Sequence, residues 1–143
     1  MNILERVVRL ETTLWSLVER SLIGEGRAGL GTFLALQILH RHDGAGRVQD
    51  LSRELSITIG AASKVVDRLE RAELAVRRPH PEDRRSSLVA LTAQGESERA
   101  AADVVVRRVI DVVFGDDEAL TVAGSVIHGL QHRVDGAATA VAA

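Results

Sequence analysis

The chain contains no cysteine and no tyrosine, one tryptophan, two phenylalanines, two prolines and a single lysine, Lys64. Without cysteine there are no disulfides, thiolate metal ligands or thiol redox sensors. With aromatics at 2%, the core has to be assembled from Leu, Val, Ile and Ala, which suits helices packed on helices better than a sandwich of sheets. No stretch approaches the roughly 20 apolar residues of a membrane span. The N-terminal MNILERVVRLETTLW interrupts its apolar residues with charges instead of building a secretory signal. The expectation is a cytoplasmic protein without a membrane partner.

What is present fits one domain. The 143 residues are 45% hydrophobic and 27% charged, ordinary values for a globular chain. The net charge of −2 is unevenly spread: residues 47–92 hold nine basic against seven acidic residues, whereas 93–143 hold four against eight. The middle is therefore the electropositive part, although the excess is small.

Ile3, Val7, Leu10, Leu14 and Leu17 recur at steps of four and three, the stripe of an amphipathic helix that ends near the glycine-rich GEGRAGLG of residues 24–31. Gly24, Gly26 and Gly29 formally spell G-x-G-x-x-G. The helix before it denies the strand that a dinucleotide loop needs, so it reads as an inter-helix connection. Thr32 is expected to cap a helix through Phe33 and Leu39. A short helix follows around QDLSREL, and Thr58 is expected to cap another over IGAASKVVDRLERA. In that last helix Ala62, Val65, Val66 and Leu69 share a face, leaving Gly60, Ala61, Lys64, Asp67, Arg68 and Arg71 outside.

Spacing alone leaves a helix-turn-helix and a plain antiparallel helix pair equally open. RRPHPEDRRSSLVALT, residues 77–92, favours the first. Val76 to Arg78 and Leu88 to Leu91 are β-leaning and flank a polar turn that holds both prolines, so they predict a hairpin. Thr92 is placed to cap the next helix. A helix-turn-helix followed by an arginine-tipped hairpin is a winged helix, which can set one helix in a major groove and the hairpin along the minor groove. Val105, Val109, Val112 and Val113, then Leu120, Ala123, Ile127, Leu130 and Val134, give two more apolar stripes. These exceed the need of a small lobe and point to homodimerisation. The expected fold is mainly α with a small β-hairpin: a single domain over 1–143, with a winged helix-turn-helix lobe at 33–92 and dimerisation helices at 1–23 and 93–143.

The run LSRELSITIGAASKVVDRLERAELAVRRPHPEDRRSSLVALTAQG, with Asp83 to Arg85 as D-x-R and Val89 to Thr92 as V-x-L-T, resembles the MarR family of transcriptional regulators. The resemblance implies a homodimer that binds a pseudo-palindromic double-stranded DNA operator, acts as a repressor, and is released by a small aromatic or anionic effector. It implies no cofactor. Carried over, Thr58, Gly60, Ala61, Ser63, Lys64 and Arg68 face the major groove. Arg84 and Arg85 form the wing tip with Asp83 holding the loop, and Arg77 completes the DNA-contacting set. Ala61 stands where the family commonly has a hydroxyl residue, and Lys64 where arginine is more usual, so an operator cannot be borrowed from relatives.

Trp15 reads first as a core residue. With Arg9, His40 and His42 it also forms a candidate effector set, in which an aromatic face and cations would suit an anionic aromatic ligand. His128 and His132, four apart on a helix, lack an evident third ligand and read as helix-surface polar residues, so no metal is expected. Ser86, Ser87, His80 and Asp83 supply the residue types of a hydrolase but crowd into one loop, so no enzyme is expected. The reading from another class is a helical homodimer that serves as a protein-interaction module without specific DNA binding.

Overall fold

The computed structural model describes residues 2–83, 86–115 and 117–141. Asn2 and Glu5 exchange side-chain to backbone hydrogen bonds of 2.9 Å, a capping box that starts helix α1 (Ile3–Gly24). The helix ends at the glycine-rich segment as its sequence predicts. Only its second half is packed, with Val18 and Leu22 buried, while Ile3, Leu4, Val7, Val8 and Leu10 remain exposed.

Helix α2 (Leu30–Arg41) begins before the predicted cap at Thr32. Its N-cap is Gly29, which has no side chain to offer. The Glu19 carboxylate of α1 accepts the Leu30 N–H instead. A Cβ on residue 29 would lie 2.7 Å from Glu19 Oε1, so a larger residue there would push the capping carboxylate aside. A cap supplied from another helix is invisible to a local pattern, which is why Thr32 looked like the start.

Helix α3 (Val48–Glu54) and helix α4 (Ile59–Arg71) are joined by a tight turn in which Ser56 adopts φ 53°. The Ser52 hydroxyl donates to the Ile57 carbonyl at 2.7 Å, and Thr58 Oγ1 accepts from the Ala61 N–H at 3.1 Å, the predicted cap. Past α4, the Leu74 N–H returns to the Leu69 carbonyl at 2.8 Å with Glu73 at φ 59°, a Schellman-type stop that turns the chain into the hairpin.

Strands β1 (Ala75–Pro79) and β2 (Ser87–Leu91) pair antiparallel from Ala75 opposite Leu91 to Pro79 opposite Ser87. Gly46 adds an isolated bridge to Val89. Thr92 then caps helix α5 (Ala93–Phe114), its hydroxyl oxygen accepting from the Gly95 N–H at 3.0 Å, and helix α6 (Asp117–Val141) completes the chain. One core binds the lobe: Leu36 and Leu39 of α2, Leu51 of α3, Ala62, Val66 and Leu69 of α4, and Val89 of β2.

The chain forms two compact units, Met1–Val106 and Arg107–Ala143. In the second, Leu120, Ile127, Leu130 and Val134 of α6 are exposed, as is Val112. No helix among the described residues is long and apolar enough to cross a membrane.

Candidate nucleic-acid interface and adjoining cavity

Helix α4 advances about 100° per residue, so its side chains sort into strips. Ala62, Val66 and Leu69 face the core. Gly60, Lys64 and Arg71 are exposed on the side opposite to them. A Cβ on Gly60 would meet nothing within 4 Å, so packing does not demand glycine at this helix tip. Of the six residues assigned to the groove-facing set, Thr58, Gly60, Lys64 and Arg68 are exposed, and Ala61 and Ser63 are half-buried.

A third strip grips the hairpin. Arg77 of β1 lays its guanidinium along α4: Nη2 lies 2.8 Å from Asp67 Oδ1 and Nη1 contacts Glu70 Oε2. The Arg77 N–H also donates to Glu70 Oε1 at 2.8 Å. Burial pushes the guanidinium pKa down, but the hydrogen bonds and charges of Asp67 and Glu70 outweigh it and the net shift is upward. This residue of the expected DNA-contacting set therefore turns its donors onto α4. Toward the hairpin tip, Arg47 Nη2 lies 2.7 Å from His80 Nε2, while His80 Nδ1 faces the amides of Glu82 and Asp83 at 3.2 and 3.1 Å. A neutral imidazole has one acceptor nitrogen, so it serves one of these sides at a time. The Asp83 carbonyl accepts from the Ser86 N–H at 3.1 Å, closing the turn. Arg84 and Arg85 lie outside the described residues.

The fourth strip of α4 opens on a cavity of about 340 Å³ lined by Trp15 of α1, Gly31 and Leu34 of α2, Glu54, Leu55, Ile57, Val65 and Arg68. The expectation that Trp15 is core is corrected: it is 42% exposed, because the α2–α4 core closes without it and its ring is left on the cavity wall. Among the described residues no carboxylate pairs with Arg68 at the rim of this cavity.

The other members of the expected effector set are dispersed. Arg9 is exposed on α1 and is not part of the cavity lining. His42 bonds Glu54 at 2.8 Å, and with Arg41 it holds that carboxyl below the usual range against the opposing effect of burial. His40 pairs with Glu96 of α5 at 2.9 Å, beside a separate cavity of about 520 Å³ that also takes in Arg78 and Ala90. Glu96 is likewise held low, first by the Arg99 hydrogen bond, against burial, and then by His40. The two histidines thus fasten α2 to α3 and to α5. Trp15 and Arg68 are the pair that meets at one cavity.

His128 and His132 stack edge to face with ring centroids 4.7 Å apart, and among the described residues no group of three metal-binding side chains assembles. One exposed residue was missed from the sequence. Ile59, the first residue of α4, is 59% exposed, although its spacing of three from Ala62 puts it in phase with the buried strip. Local periodicity held no signal to single it out.

Residues 30–87 match the family described as MarR family. Among solved structures, wild-type MarR from Escherichia coli in its apo form is 18% identical, with a TM-score of 0.75 over 91% of this chain and 97% of that one. CouR from Rhodococcus jostii bound to p-coumaroyl-CoA is 23% identical, with a TM-score of 0.76 over 87% and 86%. A MarR family protein of Mycobacterium tuberculosis in complex with p-aminosalicylic acid is 23% identical, with a TM-score of 0.71 over 92% and 99%. No curated protein matches the chain. The matched segment takes in the helix-turn-helix of α3 and α4 and strand β1, ending at the first residue of β2; over residues 30–87 the chain is similar to the MarR family, and it shares the winged-helix fold of these solved structures.

Proposed function

We propose that this chain is a homodimeric transcriptional repressor that binds double-stranded DNA through α4 and the wing, and that a small anionic aromatic ligand at Trp15 and Arg68 lowers that affinity. The observation that carries the DNA reading is the outer strip of α4, where Gly60, Lys64 and Arg71 project from a helix whose opposite side buries Ala62, Val66 and Leu69. A small-residue tip can enter a major groove about 12 Å wide, and cations further along meet phosphates. Thr58, Ala61 and Ser63 complete the major-groove set. Arg84 and Arg85, with Asp83 shaping their loop, are assigned to the minor groove, where a narrow A·T tract favours arginine.

Homodimerisation rests on exposed aliphatics in each unit, at Ile3, Leu4 and Val7 of α1 and at Ile127, Leu130 and Val134 of α6. A monomer gains nothing from leaving such stripes in water. Two-fold symmetry then sets two α4 helices in major grooves about 34–36 Å apart on a pseudo-palindrome. The ligand reading rests on Trp15 and Arg68 sharing a largely apolar cavity, and relatives of the same fold were solved with p-coumaroyl-CoA and p-aminosalicylic acid. Arg68 belongs both to that cavity and to α4, so a carboxylate that draws it inward also moves a cation away from DNA. A protein engaged with DNA would work in the cytoplasm.

The test is a salt titration of binding to duplex fragments of the source genome, followed by anisotropy. Affinity that falls steeply with salt and prefers particular fragments is expected. Binding with neither property would return the chain to the class of protein-interaction modules.

A further inference from the structure

We infer that Ile59 reads the C5-methyl group of thymine, so that the tip of α4 selects A·T pairs by apolar contact. This inference rests on the DNA-binding reading above. Ile59 opens α4 with 59% of its surface exposed, whereas Ala62, Val66 and Leu69 of the same helix are buried. It belongs neither to the core that packs α4 nor to the Trp15 cavity. An aliphatic side chain held in water at the first turn of a helix does nothing for the fold, since that position accepts polar residues readily. Its β-branch restricts χ1, so the methyl groups are held in place before any partner arrives and little side-chain entropy is lost on contact.

The neighbours narrow the chemistry. Gly60 stands next to Ile59 with open space where a Cβ would be, and the Thr58 oxygen accepts from the Ala61 N–H as the cap. The first turn, Ile59 to Ala62, therefore contains no Arg, Lys, Asn or Gln. Those are the side chains that make bidentate contacts to guanine or adenine edges. The nearest cation of the helix is Lys64, five residues on and about 7.5 Å further along the axis. A first turn that offers methyl groups and no long donor meets a major groove best at the one apolar group displayed there, the thymine methyl.

The experiment separates this inference from the reading beneath it. Wild-type protein selects duplexes from a random-sequence pool. The selected duplex is then resynthesised with deoxyuridine replacing thymidine at one position at a time, which deletes only the methyl group. The expected result is one thymine per half-site whose replacement weakens binding about fourfold, the effect of one buried methyl, and about fifteenfold when both half-sites are changed. Ile59→Ala should bind thymine and uracil duplexes alike, and Ile59→Val should keep the preference. Because Ile59 is exposed, both variants are expected to melt with the wild type. Equal wild-type affinity for every uracil duplex would overturn the inference while leaving DNA binding intact. So would an Ile59→Ala protein that still discriminates. Failure to select any duplex would overturn the DNA reading, and this inference with it.

Discussion

Replacing Arg77 by alanine separates a strut from a DNA contact. The guanidinium joins the wing to α4 through Asp67 at 2.8 Å and through Glu70, with side-chain exposures of 27% for Arg77, 49% for Asp67 and 33% for Glu70. The Asp67 arm is well solvated and contributes a few tenths of a kcal/mol, up to about 1. The Glu70 arm is more sheltered and adds about 1 kcal/mol. The loss on Arg77→Ala is thus about 1–2 kcal/mol, discounted for solvent screening, because the Arg77 N–H keeps its bond to Glu70. For a chain of this length that lowers the melting temperature by roughly 3–6 °C. In a double-mutant cycle, Glu70→Gln should cost much less in the Arg77→Ala background than alone. The DNA assay makes the complementary measurement. Lys64→Ala, removing one phosphate contact per subunit, should flatten the log affinity against log salt slope by about 1.8, and Arg77→Ala should leave the slope near the wild-type value. An Arg77→Ala protein that melts like the wild type while its slope drops by about 2 would refute the strut and return Arg77 to the phosphate backbone.

Further outcomes follow from the same geometry. Gly95→Ala should destabilise the protein by about 3 kcal/mol, seen as a fall of roughly 10 °C in melting temperature, because its Cβ would stand 1.9 Å from the Leu74 carbonyl oxygen. A wild-type melt from that variant would mean the contact is not made. Glu54 and Glu96 are held below the ordinary carboxylate pKa of 4.5, so the unfolded chain binds protons more readily than the folded one, and stability rises with pH in that range. Their contribution is full above about pH 5 and is lost as pH falls through the lowered values, so melting temperatures that stay flat from pH 6 to pH 3 would contradict both pairings. Trp15 is the only tryptophan, so its emission reports the cavity directly. Benzoate should quench it and Arg68→Ala should weaken that response about tenfold, whereas an equal response from the variant would remove Arg68 from the site.

The lobe was legible because its signals are local. Thr58 and Thr92 cap the helices that follow them, and of the two prolines expected in the hairpin turn Pro81 lies there while Pro79 closes β1 opposite Ser87, at the strand end where its missing N–H is tolerated. What escaped depends on partners distant in sequence. The start of α2 is set by Glu19 of α1, and Trp15 faces a cavity because α2 and α4 close their core without it. Arg77, expected among the DNA-contacting residues, turns onto α4 because Asp67 and Glu70 wait on the facing strip of that helix. Ile59 sits in phase with the buried face but beyond the point where that face is covered. Periodicity states which side of a helix is apolar, not where its neighbour ends.

The borrowed cap at Leu30 bears on the order in which this chain can fold. Helix α2 carries the largest share of the lobe's core, yet its first turn waits for a carboxylate eleven residues upstream, and the loop before it is held by Glu98 of α5 through Arg27 and the Ala28 amide. A fragment excised as residues 30–92 would keep every residue of the helix-turn-helix and wing while losing both fastenings of its leading helix. This lobe is thus no portable module: α1 and α5 have to be in place before it can hold its shape, and a graft onto another protein would have to carry them along.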